Sequence, residues 1–461
     1  MLYQLSYLPA TRGPRGARTI ETSVATRKRA VGATVPAMAH TALGWLALAL
    51  VTTTATHDVR AQDDLRDTIT LRNGNVVRGR ILEPYAPDEL LVVQGGRRIR
   101  VPRKDVASTE TVRDRLHEFQ KRRATAPDNA TWQWLAVEWA VNRELRAMAV
   151  LQAHTVLAID PDHANARAFL GHVRSGNTWR MQRKGVWYSE AQLETFHSEW
   201  GHPLVLESEH FRIRTNAGTR RAVDALFDLE ALYVWWFDEF GAALRPREVL
   251  QPMDVFVWSQ IDKFPGWTEM RIPYFIPAPY DDTGYTFFEP GNERPKDLFG
   301  IGLQHILYRS LAYDTDAGSR KNRRCAWLEL GLAQWVDAVF VGPPGRAVAG
   351  PPPPFPSESA RLVEEQKRYE LKHLLHRHVR DSFYAAVSTA TPIDWAYAHA
   401  FTTFLMEDSA TRALLMEYLR QALRETKGDS SSLFDKVMQR RIETFERPFA
   451  EWLVQWRTTK R

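Results

Sequence analysis

The chain has 461 residues, 44% of them hydrophobic and 25% charged, with sixteen tryptophans and a formal net charge of +6. That length accommodates several separately cored domains, and the ordinary apolar content excludes a disordered or fibrous chain. A lone cysteine, Cys325, excludes an internal disulfide, so an exported fold would have to hold by packing.

Residues 1–61 read as a targeting segment. Arg27, Lys28 and Arg29 precede an apolar run from Ala42 to Val51, and Val59-Arg60-Ala61 stands before Gln62. A basic stretch, a short apolar core and a small-residue end make a secretory pattern, placing the expected mature start at Gln62. The run is short for a membrane span, and an uncleaved anchor is the alternative. The segment carries seven Lys or Arg against Glu21 and Asp58, so the remainder is near +1. The basic excess therefore gives no argument for nucleic acid. A periplasmic or extracellular location at the cell envelope is expected.

Residues 62–108 are expected to be a small β domain. TITL, VVRGRIL, ELLVVQ and RRIRVP are separated by Asn73-Gly74, Pro84 to Asp88 and Gly95-Gly96, a meander that would curl into a barrel. It resembles the SH3-like modules that follow signal peptides in secreted bacterial proteins. Residues 109–200 read as a helical linker. Trp132, Leu135, Trp139 and Leu145 form the apolar side of one helix, and Ala149, Val150, Ala153, Val156, Leu157 and Ile159 that of the next. With Asp160-Pro161 at the following boundary, this resembles a tetratricopeptide-type hairpin, although fewer than the roughly three repeats needed to stack are visible.

Residues 204–461 carry the rest. His210 to Asn216 reads as a strand, Arg220 to Phe240 as a long helix, and Met253 to Trp258 and Thr283 to Glu289 as further strands. Asp297 to Val339 then reads as two amphipathic helices around a polar loop. Leu298, Ile301, His305, Leu307 and Leu311 share one side of the first, and Trp327, Leu328, Leu330, Leu332, Trp335 and Val339 that of the second. Pro351 to Pro354 lie in an exposed excursion, and Arg361 to His378, Trp395 to Met406, Thr411 to Leu423 and Phe445 to Trp456 read as helical.

The element order and the paired helices resemble the gluzincin (peptidase-MA-like) zinc metallopeptidases. The implied fold class is multidomain α+β: an SH3-like barrel, a tetratricopeptide-like linker, and a gluzincin-like domain with a small sheet and a helical C-terminal lobe. In that family H-E-x-x-H supplies two zinc ligands and the base, a downstream Glu is the third ligand, and the last strand before the helices is an edge that pairs with extended substrate. Carried onto this chain, Ile301 stands for the first His, Gly302 for the base, His305 for the second His and Leu330 for the Glu. Glu329 is a possible substitute, about 100° around the helix. The resemblance thus implies a peptidase scaffold without catalytic residues or cofactor. A binding or scaffold role follows, with an extended peptide or protein as its partner. The alternative is a zinc hydrolase with a rearranged site. Weaker candidates are the basic-flanked His373, His376 and His378, the Asp394–His399 pair, and Cys325 beside Arg323 and Arg324, expected to be a small, partly buried residue leading into the helix at Trp327.

Overall fold

The computed structural model describes residues 66–183, 185–264, 272–276, 282–311, 325–350, 370–377, 392–424 and 430–458. The expected targeting segment, the expected polar loop between the paired helices and the expected Pro-rich excursion lie outside these residues. The protein is mixed α/β, with thirteen helices and four sheets among the described residues.

β1 (Asp67–Leu71), β2 (Val76–Ile81), β3 (Glu89–Gln94), β4 (Arg97–Pro102) and β5 (Val106–Glu110) form an antiparallel sheet ordered β4-β3-β2-β1-β5. Alternation puts Ile69, Ile81, Leu90, Val92 and Val101 on one buried face. The expected barrel is not closed: β4 and β5 stand at opposite edges, and β5 occupies residues that sequence reasoning gave partly to a helix. Asp67 joins sheet to helix, accepting from Ile81 N at 2.7 Å and from Val112 N at 2.8 Å.

α1 (Val112–Thr125) starts on a capping box between Thr111 and Asp114. α2 (Ala130–Asn142), α3 (Arg146–Ile159) and α4 (Ala164–Phe169) follow. The expected apolar side of α2 is corrected. Trp132 and Leu135 are 52% and 46% exposed, while Ala136, Val137 and Ala140 face inward. Small side chains let α2 approach α3 closely, and a buried Gln133–Gln152 hydrogen bond of 2.5 Å joins them. The linker is also not wholly helical. β6 (Val173–Ser175), β7 (Thr178–Arg183) and β8 (Val186–Ser189) make an antiparallel sheet before α5 (Glu190–His197).

The central sheet contains β9 (Leu204–Glu207) and β10 (Phe211–Thr215), then, after helix α6 (Thr219–Leu244), β11 (Met253–Trp258), β12 (Tyr274–Ile276) and β13 (Thr283–Phe287). Its order is β12-β13-β11-β10-β9. β13 runs parallel to β11 and β11 parallel to β10, while β12 and β9 are antiparallel to their neighbours. The last strand, β13, is therefore interior, correcting the expected edge. The three-residue β12 is the edge on that side, too short to announce itself by alternation. α6 is the spine against which this sheet packs, burying Leu226, Leu229, Leu232, Tyr233, Trp236 and Phe237 along one side.

α7 (Leu298–Ser310) and α8 (Ala326–Val339) are the paired helices, with the short strands β14 (Phe340–Val341) and β15 (Val348–Ala349) behind them. The C-terminal layer is α9 (Leu371–Arg377), α10 (Pro392–Glu407), α11 (Ser409–Arg424), α12 (Ser430–Met438) and α13 (Glu446–Thr458). Trp327 anchors α8 there among the rings of Phe401, Tyr418 and Phe434.

Candidate functional site

α7 begins at Asp297, whose backbone is left-handed at φ 50° and whose side chain gives no cap. The cap comes from the neighbouring helix. Asp337 of α8 accepts from Phe299 N at 2.9 Å and from Gly300 N at 3.0 Å. A Cβ at Gly300 would lie 2.6 Å from Asp337 Oδ2 and 3.0 Å from the Ala333 carbonyl, so only glycine allows the helices to meet this closely. Burial, and next the Asp297 charge, push the Asp337 carboxyl well above its usual range. Burial raises Asp297 to about 6 against the pull of Lys296.

The positions corresponding to the peptidase motif are filled by packing. Ile301 lies against Gly284 of β13, where any Cβ would overlap its methyl group. Gly302 faces α6: a Cβ there would stand 2.6 Å from Leu229 Cδ2 and 3.0 Å from Leu232 Cδ2. A carboxylate at that position would point into hydrocarbon with no room for itself or a water. Leu330 is buried on α8. Glu329 is buried beside it and accepts from the Cys325 thiol at 3.5 Å, while the next residue, Gly331, would overlap Thr402 of α10 if it bore a Cβ.

His305 is fully buried, its ring 4.6 Å from that of Phe275 on the edge strand. Its Nε2 lies 3.3 Å from Asp282 Oδ1, and Arg309 Nε lies 2.9 Å from Asp282 Oδ2. Burial lowers the His305 pKa while Asp282 opposes the shift. Sequence reasoning missed Asp282, which stands just before β13, 23 positions from His305. No motif joins residues so placed; only the fold of β12 and β13 over α7 does.

A catalytic zinc needs three protein donors and an open fourth position. His305 offers one nitrogen toward a carboxylate that already holds a guanidinium, and Ile301, Gly302 and Leu330 add no donor. These residues do not fit zinc. Among the described residues, no group of three or more His, Cys, Asp or Glu is disposed to hold a metal ion.

His373 is exposed, 3.9 Å from Glu370, whereas the His376 side chain, His378, Arg323 and Arg324 lie outside the description. His399 and Asp394 are both buried on α10, and burial lowers His399 to about 4. Cys325 is buried at the start of α8. No protein-family model matches the chain, and no curated protein is significantly similar to it.

Proposed function

We propose that this is an exported, peptidase-like protein whose gluzincin-like domain, with its SH3-like and tetratricopeptide-like companions, acts in binding or scaffolding rather than hydrolysis. One observation carries the reading: a Cβ at Gly302, the position of the general base, would stand 2.6 Å from Leu229 Cδ2 and 3.0 Å from Leu232 Cδ2, so a carboxylate there would have to push into packed hydrocarbon. The mixed sheet supports it further, with a short antiparallel edge strand above α7. An extended peptide or protein segment adding to the Tyr274–Ile276 edge is the partner this reading assigns, because edge pairing uses main-chain groups and tolerates varied sequence. Among the described residues no helix is long and apolar enough to cross a membrane.

The test is metal analysis of the purified chain together with its His305→Ala variant, alongside chelator-sensitive cleavage of an unfolded protein substrate. The expected result is no stoichiometric zinc and no chelator-sensitive cleavage. One zinc per chain, lost in His305→Ala, would overturn the proposal in favour of a rearranged zinc hydrolase.

A further inference from the structure

A second region is built unlike the paired helices. The N-terminus of α6 opens on a cavity of about 230 Å³ between α3, the β6–β8 sheet, α5 and β9. Gly218, at φ 89°, precedes the helix, and no side chain caps it. The first-turn N–H groups of a 26-residue helix therefore carry their partial positive charge to the cavity wall, where Gly218 and Thr219 lie.

The cavity also has histidines with unused nitrogens. His172 is 9% and His197 6% exposed; both rings line the cavity, and in each Nε2 is buried without a hydrogen-bond partner. Their protons can be assigned. His172 Nδ1 lies 2.9 Å from Arg167 Nη1, and a guanidinium only donates, so Nδ1 accepts and Nε2 carries the hydrogen. His197 Nδ1 lies 2.7 Å from the His202 carbonyl, which only accepts, so Nδ1 carries the hydrogen and Nε2 is a bare acceptor. Burial keeps both rings neutral by lowering their pKa. A buried polar atom left unpaired costs free energy comparable to a lost hydrogen bond; His172 Nε2–H calls for an acceptor in the cavity, and the His197 Nε2 lone pair for a donor such as the hydroxyl of a monoprotonated phosphate.

Charge and shape narrow the occupant. Arg180 and Arg183 line the cavity, and Arg167 does so while holding Glu190 at 3.0 Å. In the lining Arg167, Arg180 and Arg183 outnumber Glu190 and Glu194, and with the helix N-terminus they oppose a metal cation. They favour an oxyanion, which accepts from backbone N–H groups and from His172 Nε2. Much of the remaining wall is apolar, including Leu170, Leu193 and Leu206.

We propose that this cavity is a binding site for a small organic oxyanion, a carboxylate or phosphate head on an apolar body, with the head at the N-terminus of α6. The site is independent of the paired-helix reading and stands if that reading fails.

The test is calorimetric titration of the full chain with phenyl phosphate, benzoate and inorganic phosphate. Phenyl phosphate or benzoate should bind at one site, and the better of the two identifies the head group; inorganic phosphate should bind more weakly because it lacks the body. Thr219→Pro removes one first-turn donor at a position where proline suits a helix, and His172→Phe removes the imidazole donor while keeping a ring. Each should weaken binding about tenfold, the worth of one hydrogen bond to a charged group. The proposal is overturned if neither organic probe binds at millimolar concentration. It is overturned equally if Thr219→Pro, with an unchanged circular dichroism spectrum, binds as the parent does.

Discussion

Two helix N-termini in this protein are finished in opposite ways. That of α7 is sealed: Asp337 reaches across from α8, and glycines at 300 and 302 let neighbouring helices close over it. That of α6 has no side-chain cap and faces a cavity with unpaired imidazole nitrogens in its wall. The sequence resembles an active site at the first and gives no functional signal at the second. Packing has consumed the former, and unspent hydrogen-bonding capacity marks the latter.

The strongest way to break this contrast is Gly302→Glu, which places a carboxylate where the expected peptidase motif would have one. It should cost more than about 3 kcal/mol, from steric overlap with Leu229 and Leu232 and a buried charge, and abolish cooperative unfolding in urea. A variant as stable as the parent would show that α7 is not sealed against α6. Asp337→Ala should cost about 2 kcal/mol by stranding two buried N–H donors, whereas Asp337→Asn, which keeps an acceptor, should cost less than half as much. Equal losses in the two variants would remove the cap from the account.

The two regions also respond oppositely to pH. Asp297, raised to about 6, binds its proton more tightly folded than unfolded. It favours the fold below about pH 4, and that advantage disappears as pH rises through 6. Because Asp297 is exposed and its charge is screened by water, Asp297→Asn should gain less than about 1 kcal/mol at pH 7.5 and nothing at pH 4, with asparagine well suited to the left-handed backbone. His154, lining the α6 cavity, is lowered to about 4 by burial and then by His172. The unfolded chain takes up that proton first, so stability falls as pH drops from about 6.5 to 4. His154→Phe should flatten this acid limb by up to about 1 kcal/mol per pH unit in thermal unfolding series. A parallel response of both variants would mean that the two sites share one electrostatic environment.

What the sequence made legible followed from local pattern. α7 and α8 fall inside Asp297 to Val339, and α6, β10 and β11 lie where alternation and helical period put them, because each buries one continuous apolar side. Short elements escaped: β12 has three residues, and β6 to β8 carry Arg, Ser, Gln and Trp without a clear period. The inward side of α2 was misread because tryptophan dominates a periodicity count, while alanine decides how closely helices pack. The Asp337 cap, the Asp282–His305 contact and the unpaired nitrogens of His172 and His197 join residues distant in sequence or depend on atoms left over after folding. Neither kind leaves a spacing to read.

The first sheet and the helix after it are tied to the central helix by a tyrosine ring and one ion pair. Tyr85 lies where a Cβ at Gly241 would be and donates to the Phe237 carbonyl at 2.7 Å; Arg113, just after the sheet, pairs with Glu248, which also accepts from Tyr233 at 2.7 Å. A small antiparallel sheet ahead of a larger α/β region has the look of a transplantable part, yet this one reaches into the middle of its neighbour. Excising residues 66–113 would leave a groove along α6 and the Glu248 carboxylate without the Arg113 guanidinium. A fragment starting at residue 204 should accordingly be recovered as an aggregate, and exchange of the sheet for a homologous one should succeed only if Tyr85 and Arg113 travel with it.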